Sequence, residues 1–149
     1  SIINFCCLSN STCDCNSLFS NVPTKNAAGV DLMAFLEEAI VIEPMDRVIV
    51  GTGLYMALPD GYEAMIRPRS GMAFKHGITV INTPGTIDAD YRGEIKIALI
   101  NLSKEAFTIN NGDRIAQMVV NKYEKVTFKI TDRVDETERG SGGYGHTGK

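Results

Sequence analysis

Gly77-Ile78-Thr79-Val80-Ile81-Asn82-Thr83-Pro84-Gly85-Thr86-Ile87-Asp88-Ala89-Asp90-Tyr91-Arg92-Gly93 is the stretch around which the chain is organised. An apolar, β-branched run breaks at Asn82-Thr83-Pro84-Gly85, resumes, and ends in two carboxylates, a phenol and a guanidinium. Proline presets φ and glycine accepts the sign of φ that other residues avoid, so Pro84-Gly85 reads as a hairpin corner. Carboxylates brought close repel each other, and one of Asp88 and Asp90 needs a cation or a donor beside it, with Arg92 the nearest candidate. An Asp-x-Asp turn is more often a solvated corner than a catalytic site. This stretch alone leaves both readings open.

Outward from it, short β-branched segments recur between turn signals: Ile40 to Ile42, Arg47 to Val50, Leu54 to Leu58, Tyr62 to Ile66, Glu94 to Asn101, Phe107 to Ile109, Ile115 to Val120 and Val126 to Ile130. Ser1 to Leu8 reads as a first strand, followed by loop to about Ser20. Many short strands with few helices predict a sandwich, barrel or jelly roll. Pro59-Asp60-Gly61 and Asn110-Asn111-Gly112 are hairpin or tight-turn signals. One helix is expected, with Ser70 as N-cap, Met72, Ala73 and Phe74 inside, Lys75 and His76 in the last turn and Gly77 as the stop. Free N–H groups at such a helix start favour an anion, and Arg69 adjoins them.

A chain of 149 residues, 44% of them hydrophobic, fits one domain with a single core. The formal net charge of -3 argues against a basic nucleic-acid-binding surface. No apolar run approaches a membrane span and no basic segment introduces a secretory leader, so no membrane partner and a cytoplasmic place are expected, with the nucleus an alternative if the source is eukaryotic. Cys6, Cys7, Cys13 and Cys15 all fall at the start, where disulfides could not staple the rest, and their spacing is not that of a zinc site. They read as reduced thiols. Asn101-Leu102-Ser103 matches a glycosylation acceptor, a pattern meaningful only in a secreted protein, and is set aside.

Five of the seven arginines, Arg67, Arg69, Arg92, Arg114 and Arg139, sit in polar, glycine-containing blocks, which suits a polyanionic ligand despite the acidic total. The last ten residues hold five glycines and cannot form a core, so the tail from Arg139 to Lys149 is expected to be mobile without ligand. Gly143 to Lys149 fits Gly-x-x-x-x-Gly-Lys. It lacks the Ser/Thr and following helix of a Walker loop.

Ala28-Gly29-Val30-Asp31-Leu32, Arg67-Pro68-Arg69-Ser70-Gly71-Met72-Ala73, Gly85 to Glu94, Gly112-Asp113-Arg114-Ile115-Ala116-Gln117-Met118 and Arg139 to Gly148 together resemble the five ordered motifs of the trimeric deoxyuridine triphosphatases (dUTPases). The resemblance covers roughly residues 24 to 148. It implies an all-β, distorted jelly-roll or β-clip fold with one short helix after Ser70 and a flexible glycine-rich C-terminal tail. The division expected is an N-terminal segment at 1–20, a core at 21–138 and a tail at 139–149 closing over the active site. The first twenty residues depart from the family, and only Val22-Pro23-Thr24 is reminiscent of its usual Leu-Pro entry.

The resemblance also implies hydrolysis of dUTP to dUMP and pyrophosphate, with Asp88 as general base, in a homotrimer with shared active sites. Arg69, Ser70, Gly71 and Gln117 would meet phosphates. Asn82, Thr86, Ile87 and Lys96 would read the uracil edge, and Tyr91 would pack on the deoxyribose. From the tail, Tyr144 would stack on uracil where the family more often has phenylalanine, beside Gly145, while Arg139, His146 and Thr147 approach the distal phosphates. Magnesium (Mg2+) would be held mainly by the triphosphate, with Asp31 touching its waters. Arg114, beside Asp113, fits a turn-holding role as well as a ligand role. Two other readings, a dUTP-sensing regulator on this fold and the related dCTP deaminase, differ in leaving turnover or the C-terminal tail unexplained.

Overall fold

A computed structural model of the protein describes residues 2–7 and 24–143. Among the described residues, eleven strands and one short helix follow in chain order: β1 (Asn4–Cys7), β2 (Gly29–Met33), β3 (Ile40–Ile42), β4 (Arg47–Gly51), β5 (Leu54–Ala57), β6 (Tyr62–Arg67), α1 (Ser70–His76), β7 (Ile78–Val80), β8 (Gly85–Ile87), β9 (Lys96–Asn101), β10 (Phe107–Ile109) and β11 (Arg114–Lys122). All pairings are antiparallel and form four small sheets, β1-β5, β3-β10, β2-β11-β6-β8 and β4-β9-β7. The all-β expectation holds. Among the described residues no helix is long and apolar enough to cross a membrane.

Period-2 alternation in the sequence explains how the sheets bury one face. In β9, Ile97, Leu99 and Asn101 point inward, and in β6 Ala64 and Ile66 do the same. The core joins them to Leu32, Ile42, Val50, Ile78, Ile95, Ile109 and Ile115. In β11 the consecutive residues Ile115 and Ala116 are both buried, because the ladder with β2 shifts register between Arg114 and Ala116. Such a bulge turns the strand, and further along Met118 and Val119 are also both buried.

Three expectations need correction. Pro84-Gly85 is not a hairpin corner, since β7 pairs with β9 and β8 pairs with β6, so the turn carries the chain from one sheet to another. Ser70 is the first helical residue and not the cap; Arg69 occupies the cap position with extended backbone and no side-chain capping bond. Val126 to Ile130 is not a strand. Its backbone finds no ladder partner within one chain, and Val126, Phe128 and Ile130 are 67%, 91% and 99% exposed. Pro59-Asp60-Gly61 and Asn110-Asn111-Gly112 do make tight turns, closed by Tyr62 N–H to the Pro59 carbonyl and Asp113 N–H to the Asn110 carbonyl. Each joins strands of different sheets.

The end of α1 follows the sequence closely. Gly77 is left-handed (φ 66°), its N–H bonds back to the Ala73 carbonyl, and a β-carbon there would stand 2.9 Å from the Ser103 backbone nitrogen. Only glycine meets both demands. The cysteine-rich loop, Val22 and Pro23 lie outside the described residues.

Candidate active site

Because β7 and β8 diverge instead of pairing, they leave an opening between two sheet edges. A cavity of about 210 Å³ fills it, lined by Val80 at the end of β7 and Asn82 after it, Gly85, Thr86 and Ile87 of β8, Asp88 just beyond, Tyr91, Glu94 and Ile95, and Lys96 to Ala98 of β9. β8 is an edge strand, so one side of its backbone takes no ladder bonds and is available to a ligand. Gly85 has a steric reason: a β-carbon there would press at 3.3 Å on both the Asn82 amide nitrogen and Ile66. Six of the residues expected to read or hold the substrate, Asn82, Thr86, Ile87, Asp88, Tyr91 and Lys96, therefore share one cavity.

The two carboxylates of the Asp-x-Asp turn are separated by this geometry. Asp88 lines the cavity and Asp90 does not. Arg92 is not the cation that balances them: its guanidinium donates to the Ala89 and Tyr91 carbonyls at 2.7 and 2.8 Å. In so short a turn those carbonyls converge on the arginine, which locks the turn. Tyr91 donates from its hydroxyl to the Glu94 carbonyl at 2.9 Å, and this fixes the ring beside the cavity.

A second cluster lies across the four-stranded sheet. Asp31 on β2, Gln117 on β11 and Arg67 on β6 occupy one row of the ladders and so share a face. Arg69 donates from Nε to Asp31 Oδ1 at 3.0 Å, and Arg114 approaches Asp31 Oδ2 at 3.5 Å. The Arg69 guanidinium also bonds to the Arg114 carbonyl, and Gln117 bonds to the Pro68 carbonyl at 3.0 Å. Ser70 and Gly71 follow directly, both exposed. The Asp113 carboxylate accepts from the Asn110 N–H, so that acid holds its turn while Arg114 reaches the cluster.

Within one chain Asp31 stays apart from the cavity, although Arg67 directly follows Ile66, which lines it. β2 and β8 are the opposite edges of the sheet, three strand spacings or about 14 Å from each other. Among the described residues no hydrogen bond or ion pair joins them. Arg139 lies on neither, since its Nε donates to the Gly142 carbonyl in a turn of its own. Tyr144, Gly145, His146 and Thr147 lie outside the described residues.

A family model for dUTPase matches residues 18–148. The chain belongs to the dUTPase family. Relatives named deoxyuridine 5'-triphosphate nucleotidohydrolase include one from Cytophaga hutchinsonii, 55% identical over 90% of this chain and 87% of its own, and one from Finegoldia magna, 51% identical over 89% and 93%. Among solved structures, a mutant dUTPase of Staphylococcus bacteriophage 80alpha with dUpNHpp superposes with a TM-score of 0.81 at 21% identity, covering 99% of both chains. A dUTPase mutant from phage phi11 of S. aureus, described for its coordination of a structural Mg(II) ion, gives 0.73 at 21% identity over 91% of this chain and all of its own. At that identity the likeness concerns the dUTPase fold. The one short helix and all-antiparallel sheets described above agree with it.

Sequence reasoning assigned no role to Glu94, which this dUTPase places in the cavity wall beside Lys96. The signal was available, as Glu94 and Lys96 stand two residues apart on the approach to β9, the spacing that puts side chains on one face. The apolar wall of Val80, Ile95 and Ala98 was hidden because apolar residues in strands read as core.

Proposed function

We propose that this chain hydrolyses dUTP to dUMP and pyrophosphate, with the base and sugar in the cavity between β7 and β8 and the phosphates outside it. The observation that carries the proposal is Asp88, a carboxylate at the wall of a cavity otherwise built for a flat polar ligand: edge backbone of Thr86 to Asp88, the Asn82 amide, Lys96 and the Tyr91 ring. At about 210 Å³ the cavity is smaller than the roughly 300–1,000 Å³ of pockets that enclose drug-sized ligands, which leaves the triphosphate to another surface.

Asp88 accepts a proton from a water as that water attacks the α-phosphorus. The new P–O bond forms as the bond from the α-phosphorus to the bridging oxygen breaks, and pyrophosphate leaves with the bond electrons. Tyr91, tethered to Glu94, packs on the deoxyribose where a 2′-hydroxyl would clash. Thr86 to Asp88 present backbone groups to the uracil edge. Arg69, Ser70, Gly71 and Gln117 hold phosphate oxygens.

The described residues include no group of three His, Cys, Asp or Glu side chains that could cage a metal, and Asp31 is already shared by two arginines. A lone carboxylate of this kind fits magnesium that is held by triphosphate oxygens and keeps its waters, with Asp31 bonding to those waters. Bound in that way, magnesium supplies neutralisation of phosphate charge.

The separation of the cavity from the Asp31–Arg69 cluster supports a homotrimer in which one chain supplies the cavity and another the phosphate-binding cluster. The exposed alternation of Val126, Phe128 and Ile130 supports the same assembly, since an unpaired apolar strand-like segment is a surface for another chain. The test is incubation with each deoxynucleoside triphosphate and with UTP, plus magnesium, with monophosphate and pyrophosphate measured. dUTP alone should give equal amounts of both at a high rate. Equal rates with UTP or dTTP would contradict the roles of Tyr91 and the β8 edge.

A further inference from the structure

Glu94 is bound on three sides. Its Oε1 accepts the Gly53 N–H at 2.9 Å, and its Oε2 stands 3.6 Å from Lys96 Nζ. Its own carbonyl accepts the Tyr91 hydroxyl at 2.9 Å. The backbone next to it is pinned as well, by Ile95 N–H to the Leu54 carbonyl and by Thr52 Oγ1 to the Ile95 carbonyl. The chain makes room for this carboxylate: a β-carbon on Gly51 would stand 2.7 Å from Glu94 Oε1. Gly53 is left-handed (φ +68°) with the Phe35 ring against it, a conformation that turns its N–H to the acid.

We propose that Glu94 is a positioning residue for nucleotide binding, acting through Lys96 at the base end of the cavity; the proposal rests on the dUTP reading given above. The acid is anchored by Gly53 on one oxygen, which leaves the other to hold the lysine. Among the described residues Glu94 is the one acidic partner of Lys96, whose side chain is otherwise half exposed and long enough to adopt many rotamers. Holding it in one place lowers the ordering cost of binding. The same residue, through its carbonyl, ties Tyr91 to this frame. Base and sugar contacts are thus set by one partly buried anchor in the wall of the cavity that Asp88 also lines.

Glu94→Gln separates the two functions, because the amide oxygen still accepts from Gly53 while the charge that holds Lys96 is lost. The expected result with dUTP is a KM raised about five- to tenfold, kcat within about twofold and an unchanged melting temperature. In a Lys96→Met background the same change should move KM by less than about twofold, since the lysine through which Glu94 acts is gone. An unchanged KM in Glu94→Gln, a kcat that falls by as large a factor as KM rises, or the same rise in KM in both backgrounds would overturn the proposal. Absence of dUMP and pyrophosphate from the unaltered protein would overturn the dUTP reading itself, and this inference with it.

Discussion

Arg69 and Asp31, 38 residues apart in sequence, meet through a 3.0 Å bond from Nε to Oδ1, with the acid only 11% exposed at its side chain. The pair aligns a guanidinium on the face where Gln117 also lies, and Arg114 completes it from the other oxygen. Asp31→Asn should cost about 1–2 kcal/mol of stability, the range for losing a charge-assisted bond at a part-buried site. It should also raise the magnesium concentration needed for half-maximal turnover, which a magnesium titration at fixed dUTP measures. An unchanged magnesium dependence would remove Asp31 from the phosphate end of the site.

Gly93 leaves space that the Tyr91 ring uses. A β-carbon at Gly93 would lie 2.6 Å from Tyr91 Cζ, so Gly93→Ala must push the ring out and break its bond to the Glu94 carbonyl. Discrimination against UTP should fall by about tenfold or more, since it rests on a fixed ring excluding a hydroxyl. The ratio of kcat/KM for dUTP and UTP reads this directly.

Asn101 is fully buried and its amide is completely used. It donates to the Ile42 and Glu105 carbonyls and accepts from the Ser103 N–H and hydroxyl. This is a structural junction between β9, β3 and the following turn, and it accounts for an Asn-Leu-Ser sequence that is no glycan acceptor. Asn101→Ala should destabilise the fold by about 2–4 kcal/mol, because buried carbonyls and an N–H lose their partner together. Denaturant unfolding of the variant measures it.

The tail makes a separate prediction. Residues 139–143 form a turn closed on itself and stay largely exposed, so their removal takes little from the core. Deleting 139–149 should leave the melting temperature within about 2 °C while lowering turnover of dUTP at least about a hundredfold, as expected for a segment that acts only on bound substrate. Mixing this deletion with Asp88→Asn protein, under conditions of demonstrated subunit exchange, should restore activity, because an intact cavity can then meet an intact tail from another chain.

Most strands were legible because period-2 alternation survives in short segments such as Ile97, Leu99 and Asn101. What failed was pairing. Nothing local to Pro84-Gly85 says that β7 and β8 enter different sheets, since the choice is made by Leu99 and Ala64, distant in sequence, as ladder partners. Val126 to Ile130 reads as a strand by the same alternation, yet it pairs with no strand among the described residues. The cavity residues were named from motif spacing, whereas Glu94 and the role of Arg92 depended on which carbonyls and N–H groups the fold brought near them.

In the hydrolysis proposed above Asp88, and not Asp90, takes the proton from the attacking water, since of the two only Asp88 lines the cavity. Single-turnover hydrolysis of dUTP by Asp88→Asn and Asp90→Asn, with nucleotide binding measured in parallel, tests it most directly. Asp88→Asn should bind dUTP within a few-fold of the unaltered protein and react at least about a thousandfold more slowly, with Asp90→Asn slowed by no more than about tenfold. Near-normal single-turnover rates in Asp88→Asn, or the reverse ranking of the two variants, would remove Asp88 as the base.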